Sequence, residues 1–166
     1  MRKNRYFYIM IVTLPIAVSQ EVKLYLSSKL PVDPFVLTRK NKFGLFLDNC
    51  LSRYNAETDK LLDKKVDLSA YNDVLRIQLT ESKFRLKGFY FSNEKQRDFN
   101  YFVTRIMYDD FYDYMLFHHQ LNQEKVQQAI LDWREKRNLN EDVLSYKTLA
   151  KSYERHRKER NELIIS

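Results

Sequence analysis

Residues 145 to 160 hold six basic side chains and two acidic ones, and four of the six recur with helical spacing: Lys147, Lys151, Arg155 and Lys158. Steps of three and four residues place them along one side of a helix, and Arg157 adds to the basic surface off that row. Such a row can neutralise successive phosphates of a polynucleotide and release its condensed counterions. Basic residues late in a helix also complement its dipole. Residue types suited to catalysis are harder to assemble. Asp98, Asp109, Asp110 and Asp113 put several carboxylates on one predicted helix, and paired carboxylates hold magnesium in phosphoryl transfer. On a helix crowded with Phe and Tyr, however, they read more simply as its wet face. His118 and His119 are adjacent, so on a helix they point about 100° apart and do not converge on a metal. The only other histidine is His156, and neither Cys-x-x-Cys nor His-Glu-x-x-His occurs. The residues therefore predict no enzyme, no metal site and no cofactor.

The 166 residues include 29 Lys and Arg against 22 Asp and Glu, a formal +7 that favours a polyanionic partner. An AT-rich coding sequence, which raises Lys, Asn, Tyr and Phe together, is the competing explanation of that balance. Being 44% hydrophobic and 14% aromatic, the chain has too much apolar surface to stay disordered. Its two glycines, Gly44 and Gly88, exclude glycine-rich phosphate loops and dinucleotide fingerprints. A lone cysteine, Cys50, can form no internal disulfide, so nothing requires an oxidising compartment.

At the amino terminus, Arg2, Lys3 and Arg5 precede an apolar stretch over 6 to 18 that ends in Ala17-Val18-Ser19, shaped like a signal-peptide cleavage site. Its Tyr, Ile and Val content, with Thr13 and Pro15, reads better as a strand, so the expected location is cytoplasmic. An exported protein maturing near Gln20 stays open as an alternative. No other apolar run approaches the roughly 20 residues that span a bilayer, and no membrane association is expected.

The elements that would position these residues follow from periodicity. Residues 6 to 14 read as a strand stopped by Pro15, and 18 to 30 as a helix broken by Pro31 and Pro34. A basic turn over 38 to 41 leads to a helix with Phe43, Phe46, Leu47, Cys50, Leu51 and Tyr54 on one face that must be buried. Residues 55 to 72 form a charged connector. Residues 74 to 80 alternate Leu75, Ile77 and Leu79 against Arg76, Gln78 and Thr80, the pattern of a half-buried strand. A short helix over 81 to 90 and a long one from Ser92-Asn93 to about His119 come next.

The order strand, helix, helix thus occurs twice. Phe43, Phe46, Leu47 and Leu51 match Phe99, Phe102, Val103 and Met107 in spacing. This tandem resembles a single-chain ribbon-helix-helix protein, in which two paired strands enter the DNA major groove. The resemblance implies that Arg76, Gln78 and Thr80 face the bases, with Gln and Arg supplying donors and acceptors. The first strand departs from it, presenting Ile9, Ile11 and Thr13. The alternative is that Arg76 and Gln78 are only the solvent side of the strand.

Beyond Gln123, Val126, Ala129, Ile130 and Trp133 stripe one helix, closed by Leu139. After a polar turn over 138 to 142, Tyr146, Leu149, Ala150 and Tyr153 stripe a second, capped by Ser145 or Asp142. The pair resembles the helix-turn-helix end of phage and mobile-element regulators, with a longer turn and no glycine in it. The expected fold is mainly α with a small two-stranded β-ribbon (α+β): two strand-helix-helix units over 1 to 120, then a basic helical pair over 121 to 166. The expected function is a DNA-binding transcriptional regulator or accessory factor of a phage or mobile element. Its partner would be double-stranded DNA, with RNA left open, and the nucleic-acid-binding residues Lys147, Lys151, Arg155, Arg157, Lys158, Arg76 and Gln78. A helical interaction module, with aromatic faces joining copies or holding a protein partner, is the second reading.

Overall fold

In the computed structural model, residues 11–30 and 33–165 are described, and they form seven α-helices, a π-helical turn and three strands. The chain is a mainly helical α+β protein with two compact units. The first takes in the described residues 11–19 and 33–99, the second 20–30 and 100–165. Residues 6 to 10 of the predicted first strand, Arg2, Lys3, Arg5 and Pro31 lie outside the described residues.

The first unit is built on the alternation at residues 73 to 80. Strand β1 (Ile11–Val18) pairs antiparallel with β3 (Asp73–Thr80), Thr13 facing Gln78 and Pro15 facing Arg76. Ile16, Val18, Ile77 and Leu79 are buried, while Thr13, Pro15, Arg76 and Thr80 stand outside. Two expectations are corrected here. The sheet has three strands rather than two, in the order β1-β3-β2, because β2 (Phe35–Val36) runs parallel to β3 on its other side. Two residues carry no periodicity from which β2 could be read. And Pro15 does not stop β1: the strand lies at the sheet edge, where a residue lacking its N–H is tolerated. β2 also interrupts the first of the two anticipated strand-helix-helix units. It falls between α1 (Gln20–Lys29) and α2 (Lys42–Cys50).

α2 starts where Asn41 Oδ1 accepts the Gly44 N–H at 2.8 Å. A side chain at Gly44 would put its Cβ 1.9 Å from the Thr38 carbonyl oxygen, so only glycine lets the turn before α2 approach so closely. Phe43, Leu47 and Leu51 are buried, but the helix ends at Cys50, so Tyr54 leaves the expected apolar face and is exposed. After the short α3 (Asp59–Asp63), Asp63 fixes the connector: its carboxylate accepts from Tyr90 Oη at 2.5 Å and from the Asn93 N–H at 2.8 Å. α4 (Glu81–Lys87), capped by Thr80, ends at Gly88, whose φ of +86° is costly for any other residue. α5 (Asn93–Met115) begins in this unit and continues into the second.

The second unit comprises α1, the remainder of α5, a π-helical turn (Leu116–Leu121), α6 (Val126–Lys136) and α7 (Tyr146–Ile165). Its core is aromatic: Phe111 meets Trp133 edge-on at 5.0 Å and Tyr153 at 6.4 Å, and all three are buried. Asp110 ties this core together. It accepts from Trp133 Nε1 at 3.0 Å, Lys29 Nζ at 2.7 Å and Arg137 at 2.9 and 3.1 Å.

Candidate nucleic-acid interface

α7 owes its geometry to a polar start and an apolar underside. α6 stops without glycine because Asn138 takes the left-handed conformation, φ 54°. Ser145 Oγ then accepts the Thr148 N–H at 3.2 Å, and Glu141 accepts the Tyr146 N–H at 3.0 Å, so Ser145 rather than Asp142 is the cap. Glu141 also pairs with the buried Arg134, joining the loop to α6. Leu149 and Tyr153 turn inward and are buried.

That burial dictates what faces out. Lys147, Lys151, Arg155, Arg157 and Lys158 are all exposed. Among the described residues none of the five side chains takes part in an ion pair or hydrogen bond. From Lys147 to Lys158 the row covers about 16 Å of a helix about 30 Å long. The charge is segregated as well as exposed. The second unit has 13 basic and 12 acidic residues, and residues 145–160 take six and two of these, leaving seven basic against ten acidic elsewhere in it. Beside the row, Tyr112, Ser152, Arg155, His156 and Glu159 line a polar recess of about 210 Å³. The Tyr112 and His156 rings stack at 3.9 Å, and the Tyr112 and Ser152 hydroxyls bond at 2.7 Å.

Arg76 and Gln78 belong to the other unit, and the structure treats them differently from the α7 cations. Arg76 is exposed, but its Nε and Nη2 donate to the two carboxylate oxygens of Asp33 at 3.1 and 2.9 Å, which holds its guanidinium more basic than usual. Gln78 is half-buried, with Thr13 of β1 on one side and Val36 of β2 on the other. β3 is therefore the middle of a sheet and not half of a free ribbon.

The carboxylates on α5 do not converge on an ion. Asp109 and Asp113 are exposed, whereas burial pushes the Asp110 carboxyl up and hydrogen bonds from Lys29, Trp133 and Arg137 more than offset this, holding it below its usual range. His118 and His119 both close on Glu124, His118 Nδ1 through the carboxylate at 2.9 Å and His119 Nδ1 through the carbonyl oxygen at 2.6 Å. Among the described residues no group of three or more His, Cys, Asp or Glu could hold a metal.

One charged cluster was not anticipated. Asp48 on α2 is 1% exposed and takes three cations. Lys83 Nζ reaches Oδ1 at 2.8 Å, and Arg39 Nε and Lys87 Nζ reach Oδ2 at 2.6 Å each. Burial pushes this carboxyl up, but bonds from Lys83, Lys87 and Arg39 outweigh it and hold the pKa far below the carboxylate range. The i, i+4 spacing of Lys83 and Lys87 was a visible hint; their shared partner, 35 and 39 residues away, was not. Compared with protein-family models, curated proteins and solved structures, the chain matches none.

Proposed function

We propose that the protein binds double-stranded DNA through the outer face of α7, as a small regulator or accessory factor. The single observation that carries this reading is the exposed, unpaired row of Lys147, Lys151, Arg155 and Lys158, joined by Arg157, on a helix whose opposite face is buried. A cation matched one-to-one by an internal acid keeps little net charge for a phosphate; these five keep theirs whole and give up only water and counterions. The helix is seated by the buried Leu149 and Tyr153, so the cations are presented as a helical row. With α6 before it and a nine-residue loop between, α7 takes the place of a recognition helix in a loose helix-turn-helix pair. Arg76, engaged by Asp33, and Gln78, half-buried, are secondary to α7 in this reading.

The test is a mobility-shift titration of a mixed-sequence 20-base-pair duplex with the intact chain and with K147E/K151E/R155E. The reading expects a loss of affinity of 100-fold or more in the variant, at unchanged helical content, since phosphate contacts supply most of such binding. Equal binding by both proteins would overturn it. A stable oligomer that shifts no duplex would favour the interaction module instead.

A further inference from the structure

A second surface, in the first unit, combines cations with the exposed ring of Phe89. α4 has no fully buried residue: Lys83 and Lys87 on Asp48 tie it to α2, Phe84 is half-buried and Leu86 faces outward. Leu86 is 77% exposed and Phe89 52%. An ordinary surface helix buries its apolar stripe, so outward apolar groups on a helix seated by charges mark a surface that meets something. The rings are ordered. Phe84 and Phe89 lie nearly parallel, 20° apart with centroids at 5.4 Å, because Gly88 reverses the chain between them. A side chain at Gly88 would put its Cβ 2.4 Å from the Ser52 carbonyl oxygen. Nearby, Arg53 Nη2 donates to the Arg85 carbonyl at 3.2 Å, which brings the exposed Arg53 guanidinium to the same turn of chain, while the Arg85 guanidinium is paired with Glu81 at 2.5 Å.

The charge beside those rings is out of balance. One buried carboxylate answers three cations, so the cluster keeps a formal excess of two positive charges at the surface. A single cation would satisfy Asp48; three repel one another, and an oxyanion placed between them relieves that repulsion. Among the described residues Arg39 bonds only to Asp48, through Nε, which leaves its two terminal nitrogens for another acceptor. Their fork geometry suits phosphate. Flat hydrophobic rings set next to phosphate-binding cations are the two halves of a single-strand platform: bases stack on the rings while the backbone follows the charge. Duplex DNA keeps its bases stacked inside and has no use for the rings.

We infer that the first unit binds single-stranded nucleic acid, with Arg39, Lys83 and Lys87 on the phosphates and the exposed Phe89 ring, backed by Phe84, under the bases. The site is separate from α7 and does not depend on the duplex reading.

The experiment is fluorescence anisotropy of a labelled dT15 oligonucleotide with the intact chain. Wild-type protein binds it. F89A, a change at an exposed position, weakens binding about tenfold and leaves the salt slope unchanged, because stacking carries no counterions. R39Q leaves Asp48 with two cations, so the fold stands; it weakens binding and lowers the slope of log K against log salt by about 0.7. In the K147E/K151E/R155E background, where the charge reversal itself weakens attraction to any polynucleotide, F89A still lowers dT15 affinity about tenfold. Failure of the wild-type chain to bind dT15, or full affinity in both F89A and R39Q, overturns the inference whatever duplex DNA does. F89A without effect in the α7 variant also overturns it, by taking Phe89 out of the single-strand site.

Discussion

Arg39 Nε and Lys87 Nζ, 48 residues apart in sequence, meet the same oxygen, Asp48 Oδ2, each at 2.6 Å. One carboxylate thereby fastens the turn before α2 and the whole of α4 to α2. This ion cluster ties α4, which has no fully buried residue, to α2.

Replacing Asp48 should therefore cost more than a surface ion pair would. D48N leaves three cations facing a neutral amide, and the expected loss is about 3 kcal/mol at neutral pH, measured by urea denaturation. Because the native carboxyl titrates below its unfolded value, its contribution is complete above about pH 4 and declines as pH falls through the lower native pKa. The stability gap between wild type and D48N should be constant from about pH 5 to 7 and narrow steadily below about pH 4. A gap that widened on acidification would contradict the assignment.

Gly88 is expected to tolerate no side chain. Its φ of +86° lies where L residues are strained, and an added Cβ would meet Ser52 and Arg53 backbone atoms at 2.4 and 2.8 Å. G88A should lose roughly 1–3 kcal/mol in thermal or chemical unfolding, and it should misplace Phe89 relative to Phe84. Wild-type stability in G88A would refute that backbone geometry.

Trp133 joins the aromatic core of the second unit to its polar anchor. W133F retains a ring but gives up volume at a fully buried position and the Nε1 bond to Asp110. The expected cost is about 2 kcal/mol by circular dichroism in denaturant. A loss below about 0.5 kcal/mol would mean that the indole neither fills the core nor holds Asp110.

The parts of this fold that announce themselves in sequence are those governed by neighbours a few residues away. The alternation of Arg76, Ile77, Gln78 and Leu79 places β3, and the stripe of Leu149 and Tyr153 opposite Lys147, Lys151 and Arg155 places α7, because period two and period 3.6 are local properties. The misreadings arise where distant chain decides. Pro15 reads as a stop until its strand is known to be an edge. Phe35 and Val36 become a strand only because β3 offers a free side. The Asp48 cluster draws on residues 39, 48, 83 and 87, and no spacing rule joins those numbers. Tyr54 looked like a continuation of the α2 face, but the helix ends four residues earlier, at Cys50.

The central claim, that the outer face of α7 carries duplex DNA, is tested most directly by the salt dependence of duplex affinity in wild type and in K147Q/K151Q/R155Q. Each phosphate contact contributes about 0.9 to the slope of log K against log salt, so removing three should lower a steep slope by about 2 to 3. An unchanged slope in the variant, or a wild-type affinity indifferent to salt, would contradict the account.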